Sequence, residues 1–119
     1  TLAAKIIDFK DLENENIVKV ITKENLKEDQ FSRAEAFVRK ATNLDNIYHH
    51  IGIYCYSTDT LKKFIELNQS KNEIENKLEQ LRALDNNINI NVSLADSSPI
   101  GVDTKEDYLA LKKIMEYKV

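Results

Sequence analysis

The stretch His49-His50-Ile51-Gly52-Ile53-Tyr54-Cys55-Tyr56 reads as the clearest β-strand of the chain, with isoleucines and aromatics set in alternation. Side chains alternate sides along a strand, so Ile51, Ile53 and Cys55 share one face, and His50, Gly52, Tyr54 and Tyr56 share the other. The first face reads as core. The second sets His50 and Tyr54 about 13 Å apart along the backbone, at ~3.3 Å per residue, with a glycine gap between them. Two readings of this face stand side by side. It is the half-wet surface of a sheet, or it is a pair of polar groups leaning toward something held in the gap.

Outward from this strand the pattern switches between strand and helix periods. Residues 1–7 are apolar enough for a strand, and residues 16–22 alternate with β-branched side chains. Residues 23–46 are polar and irregular, with Phe31-Ser32-Arg33-Ala34 as an island and room for a short helix after it. Residues 58–67 predict a helix with Asp59 and Thr60 as start signals and Leu61, Phe64 and Ile65 on one face. A second helix is predicted over residues 70–84, opening on the capping box Ser70-x-x-Glu73. A strand over residues 88–95 and a helix over residues 104–117 complete a mixed α/β domain that spans residues 1–119.

Composition narrows the function classes. The 119 residues suit one domain with one modest core. A hydrophobic share of 42% beside 31% charged residues is ordinary for a globular protein. A formal charge of −3 argues against nucleic-acid binding, which calls for a basic stripe. No apolar run reaches the ~20 residues of a membrane helix, and no signal-peptide layout opens the chain. Cys55 is the only cysteine, so no intramolecular disulfide can form, in keeping with a reducing, cytoplasmic setting. The two glycines, Gly52 and Gly101, lie too far apart to build a phosphate-cradling loop.

Two further segments carry chemistry-bearing groups. In the helix predicted over residues 70–84, Ile74, Leu78, Leu81 and Leu84 form the buried stripe and Glu79 and Gln80 project away from it. That is the layout of a solvated face, with Glu79 paired to Arg82 and Glu73 to Lys77 for ~0.2–0.5 kcal/mol each. A carboxylate beside an amide also suits a polyol, because one only accepts hydrogen bonds while the other donates and accepts. Downstream, Thr104-x-x-Asp107 is a capping box before the amphipathic run Tyr108, Leu111, Ile114 and Met115, which leaves Asp103 just outside a helix N-terminus.

Three stretches, in this order and with these gaps, resemble the C-terminal half of 3-deoxy-manno-octulosonate cytidylyltransferase, the CMP-KDO synthetase family. They are Tyr48-His49-His50-Ile51-Gly52-Ile53-Tyr54, Lys77-Leu78-Glu79-Gln80-Leu81-Arg82-Ala83-Leu84 and Ile100-Gly101-Val102-Asp103-Thr104-Lys105-Glu106-Asp107. Asn16-Ile17-Val18-Lys19-Val20, Phe31-Ser32-Arg33-Ala34 and Thr1-Leu2-Ala3 extend the likeness nearly end to end. The resemblance implies the C-terminal part of a nucleotide-diphospho-sugar transferase-like fold, a mixed sheet with flanking helices. It implies that Arg33 clamps the carboxylate of the sugar acid, where a guanidinium fork is the natural partner. It further implies that His50, Tyr54, Glu79 and Gln80 hold sugar hydroxyls, and that Asp103 is a catalytic Mg²⁺ ligand, Mg²⁺ taking one or two carboxylates and filling its sphere with water and phosphate oxygens.

The same resemblance places the family's nucleotide-binding loop and first metal-binding aspartate upstream of Thr1. The chain is therefore expected to hold the sugar-binding and dimerisation half of an enzyme that joins CTP to 3-deoxy-manno-octulosonate, giving CMP-KDO and pyrophosphate for lipopolysaccharide assembly. It is expected to be inactive alone and to form a homodimer. Two alternatives stand beside this: a cytidylyltransferase for another acidic sugar such as an acylneuraminate, and a non-catalytic assembly module. Departures from the family pattern include His49 in place of arginine, Ser70-Lys71-Asn72-Glu73 in place of Ser-Pro-Leu-Glu, and Lys105 in place of a first-turn proline.

Overall fold

A computed structural model describes residues 1–117. Five strands form its centre: β1 (Leu2–Ala4), β2 (Lys19–Thr22), β3 (Ser32–Val38), β4 (Ile47–Ile51) and β5 (Asn91–Leu94). They run in the order β1-β4-β2-β3-β5, and β5 closes the ring by pairing in parallel with β1. The other four pairings are antiparallel. Four helices flank this mixed sheet: α1 (Thr58–Glu66), α2 (Lys71–Asn76), α3 (Gln80–Asp85) and α4 (Lys105–Glu116). The fold class is the mixed α/β sheet with flanking helices that the sequence implies.

Ala3, Val20, Ala34, Phe37, Tyr48 and Val92 fill the ring, with Leu78 and Leu81 closing it from the helical side. Burying such side chains is worth roughly 1.5–3 kcal/mol each for the larger ones. Tyr48 is inside because its hydroxyl has a partner there, accepting the Leu26 N–H at 2.8 Å. Lys19 is wholly buried for a similar reason. Its ammonium donates to the Asn14 carbonyl at 2.7 Å and also to that of Arg39.

Several elements differ from the sequence reading. Residues Ser32–Val38 form a strand, not a loop and short helix. Small and charged residues hide its alternation, and the register with β2 shifts between Ile21 and Thr22, so that Ser32 and Ala34 are buried early and Phe37 later. The strand expected over residues 49–56 ends at Ile51. The strands at residues 1–7, 16–22 and 88–95 are also shorter than expected. On α1 only Phe64 is buried, while Leu61 and Ile65 face outward.

The helix expected over residues 70–84 is two helices. Its capping box forms as predicted, with Ser70 Oγ accepting the Glu73 N–H at 3.2 Å and the Glu73 carboxylate accepting the Ser70 N–H at 3.1 Å. The break lies at Lys77, which takes the left-handed conformation (φ 53°, ψ 47°) and drops Leu78 into the core. The Arg39 guanidinium explains it. It donates to the carbonyls of Asn76 at 2.9 Å and Lys77 at 3.1 Å, groups that would otherwise be orphaned at a helix end. Ile74 consequently leaves the stripe and is exposed.

Candidate functional site

The site begins where β4 stops. His50 is the penultimate residue of β4 and is buried, its ring edge-on to Phe37 at 5.0 Å between centroids. Beyond Ile51 the chain turns on itself, the Ile53 N–H donating to the Ile51 carbonyl at 2.7 Å across Gly52. This three-residue turn brings Tyr54 back onto His50 instead of leaving it about 13 Å down a strand. Their rings lie 5.6 Å apart and the Tyr54 hydroxyl is 3.3 Å from His50 Nε2. Gly52 therefore does not open a gap between the two. A side chain there would meet nothing within 4 Å.

The Thr1 hydroxyl organises the histidine. It is 2.7 Å from the Ile53 carbonyl and 3.0 Å from His50 Nε2. A hydroxyl has one proton to give, and the shorter carbonyl contact takes it, so His50 carries its proton on Nε2 and donates to Thr1 Oγ1. Burial, reinforced by the terminal ammonium and by His49, lowers His50 to about 4, so the ring is neutral at physiological pH. The Tyr54 phenol is pushed up by burial, then by Tyr56 and the Glu79 carboxylate, and stays protonated. With Nε2 already a donor, the Tyr54 O–H is left to donate to an acceptor in the adjoining cleft.

That cleft, of about 330 Å³, is lined by Tyr54, Tyr56, Thr60, Phe31 and Asn91 among others. Glu79 is not among the residues lining this cleft, although its charge raises both Tyr54 and Tyr56. It is exposed and stands at the N-cap of α3. Gln80, the first residue of α3, is buried and does not project outward as the helical wheel suggested. The break at Lys77 rotates the second segment relative to the first, which is why one continuous wheel misplaces it.

Of the six residues singled out in the sequence, the structure brings His50 and Tyr54 into contact, and Tyr54 alone of the six lines the cleft. Arg33 is on β3 opposite Asn91, a residue of the cleft wall, but its side chain is exposed and makes no ion pair with the cluster among the described residues. Asp103 is exposed before α4, which contributes no buried residue to the fold. The predicted cap there forms, with Thr104 Oγ1 accepting the Asp107 N–H at 3.1 Å and the Asp107 carboxylate accepting from Thr104 and Asp103. Among the described residues no three His, Cys, Asp or Glu side chains group as a metal site. A larger cleft of about 580 Å³, lined by His49, Asp11, Glu28 and Asp96 among others, holds none of the six.

Sequence reasoning overlooked Thr1 and Tyr56. Tyr56 carried a signal, its place two residues beyond Tyr54, whereas the reach of Thr1 to His50 is a long-range contact with no local trace. The expected Glu73–Lys77 and Glu79–Arg82 pairs give way to a Glu73–Arg82 bridge.

Residues 1–90 match the cytidylyltransferase family. The 3-deoxy-manno-octulosonate cytidylyltransferase of Bartonella henselae is 43% identical over 117 residues, covering 97% of this chain and 47% of that protein. The protein of the same name from Thermodesulfovibrio yellowstonii is 40% identical over 121 residues, covering 97% and 48%. A CMP:2-keto-3-deoxy-manno-octonic acid synthetase solved in complex with CTP superposes with a TM-score of 0.79 at 26% identity, covering 100% of this chain and 49% of that one. The chain thus spans about half the length of the curated relatives it matches. Among the described residues no helix is long and apolar enough to cross a membrane.

Proposed function

The chain belongs to the cytidylyltransferase family, and we propose that it is the sugar-acid-binding half of a cytidylyltransferase that joins CTP to 3-deoxy-manno-octulosonate, giving CMP-KDO and pyrophosphate. The contact between His50 and Tyr54 supports this reading, because both stand at family motif positions and Tyr54 lines the cleft. The names of the relatives agree with it.

In this reading the Tyr54 hydroxyl donates to a sugar oxygen while His50, neutral and fixed by Thr1, backs it. Glu79 accepts from sugar hydroxyls, and Gln80 adds an amide beside that carboxylate. Arg33 takes the sugar carboxylate, which requires its exposed side chain to swing to the cleft. Asp103 would hold Mg²⁺. One exposed carboxylate fits that ion, which draws its remaining ligands from water and phosphate oxygens. The metal, when bound, supplies charge stabilisation at the phosphate. In the cytoplasm a homodimer would be the working form. With glycines only at 52 and 101, this polypeptide has no loop to cradle CTP and by itself does not turn it over.

Calorimetric titration with 3-deoxy-manno-octulosonate tests the reading, alongside a pyrophosphate-release assay containing CTP, the sugar acid and Mg²⁺. We expect saturable binding without CTP, a loss of about tenfold or more for Glu79→Ala and for Tyr54→Phe, and no pyrophosphate release. Absence of sugar-acid binding by the folded chain, or turnover that survives Asp103→Asn, would overturn it.

A further inference from the structure

Arg82 is absent from the set of residues that the sugar-acid reading uses, yet its side chain is joined to His50 and Tyr54 through a run of rings. Its Nε donates to Glu73 Oε2 at 2.9 Å and its Nη2 to Glu73 Oε1 at 2.5 Å, and both side chains are largely shielded from solvent. Glu73 is itself held by the Ser70 N–H at the start of α2. The guanidinium carbon lies 4.8 Å from the centre of the Phe64 ring. From Phe64 an unbroken run of ring contacts leads back to the histidine: 5.9 Å to Tyr56, 6.1 Å from Tyr56 to Tyr54, and 5.6 Å from Tyr54 to His50. The backbone N–H of Arg82 donates to the Glu79 carbonyl at 3.1 Å, a first-turn bond of α3 that any residue at this position would make.

We propose that Arg82 is a positioning residue for the sugar-acid site, setting Tyr54 through the Phe64–Tyr56 ring contacts. Its fork is filled by Glu73, so it is not a spare cation for the sugar carboxylate. A mere staple between α2 and α3 would act on stability and leave the Tyr54–His50 pair of the folded protein unchanged. A positioning residue moves that pair. The rings lie tilted against one another within the separation at which aromatic pairs attract, so a shift of Phe64 is passed to Tyr56 and on to Tyr54. The proposal depends on the sugar-acid reading for its ligand alone, and the ring geometry stands without it.

Three variants of the full chain separate these roles. Arg82→Lys keeps a charge but loses the planar fork and the stack over Phe64. Tyr56→Ala removes the middle ring and leaves the Arg82–Glu73 pair in place. Lys71→Ala, exposed on α2 and outside the cleft, is the control. Two readouts apply to each: the nuclear Overhauser contact between the Tyr54 and His50 rings, and the affinity for 3-deoxy-manno-octulosonate by calorimetry. We expect folded Arg82→Lys and Tyr56→Ala to lose the ring contact and to bind about tenfold or more weakly, with Lys71→Ala within about twofold of the parent. Persistence of the ring contact, or parental affinity, in folded Arg82→Lys overturns the proposal. If Arg82→Lys does not fold, Arg82→Gln takes its place, since Tyr56→Ala keeps the Arg82–Glu73 pair and reports only on the ring run. If the parent chain does not bind the sugar acid, the functional reading fails, and the ring contact by itself decides whether Arg82 positions Tyr54.

Discussion

The five-strand ring and α4 are built on opposite terms. Helix α4 has the strongest local signals in the chain: a complete capping box at Thr104 and Asp107, acidic residues in its first turn and Lys113 in its last. It nevertheless buries nothing, and Tyr108 and Met115 are 55% and 62% exposed. Strand β3 has weak local signals, with Ser32-Arg33-Ala34-Glu35-Ala36 promising little, yet it is flanked by partners on both edges and seats Phe37 in the core. Capping and periodicity state what a segment can form, whereas burial decides what holds it in the fold. The residues singled out in the sequence divide the same way. His50 and Tyr54 are fixed by tertiary contacts at the end of β4, while Asp103 lies just before the helix that local sequence alone supports.

The sharpest way to break this contrast is a matched pair of truncations. Phe37→Ala should cost about 3–5 kcal/mol, because it opens a cavity at the centre of the ring. Tyr108→Ala on α4 should cost less than about 0.5 kcal/mol. Urea titrations of the two variants check this, and a large loss for Tyr108→Ala would show that α4 is held by more than its own caps.

The second expectation concerns pH. His50 titrates at about 4 in the folded ring against 6.5 for an ordinary histidine, so the unfolded chain takes up the proton first as pH falls. The stability tied to a neutral His50 is fully present above pH 6.5 and drains away as pH falls toward 4, by on the order of 3 kcal/mol. Unfolding midpoints at closely spaced pH values should show this slope, and His50→Gln should flatten it. An unchanged slope in that variant would place the lost stability elsewhere.

The smallest effect lies in α4. Thr104→Ala removes a cap worth ~1 kcal/mol to the helix. Because α4 is not part of the core, the loss should appear as faster amide exchange over Lys105–Glu116 with the global midpoint unmoved. A matching shift in the global midpoint would join α4 to the cooperative unit.

Much of the molecule was legible because its signals are local. The mixed α/β class, the helices opening at Thr58 and Lys105, and the Ser70 and Thr104 caps all follow from spacing and residue type within one or two turns. The break at Lys77 was not legible. It depends on Arg39, 37 residues from Asn76 in sequence, which takes the carbonyls at the end of α2. Strand β3 escaped for a related reason, since its pairing with β2 shifts register and so spoils the two-residue period that marks a strand.

By itself the sequence determined which residues bear chemistry and which segments can be helical or extended, because side-chain type and periodicity are properties of the chain alone. Only the tertiary structure decided that Tyr54 folds back onto His50, that Thr1 fixes the imidazole proton, that Gln80 turns inward and that Arg82 pairs with Glu73 and not with Glu79. Those outcomes come from contacts between residues remote in sequence or on opposite sides of a turn. The free energy of such contacts exists only once the ring has closed and excluded water.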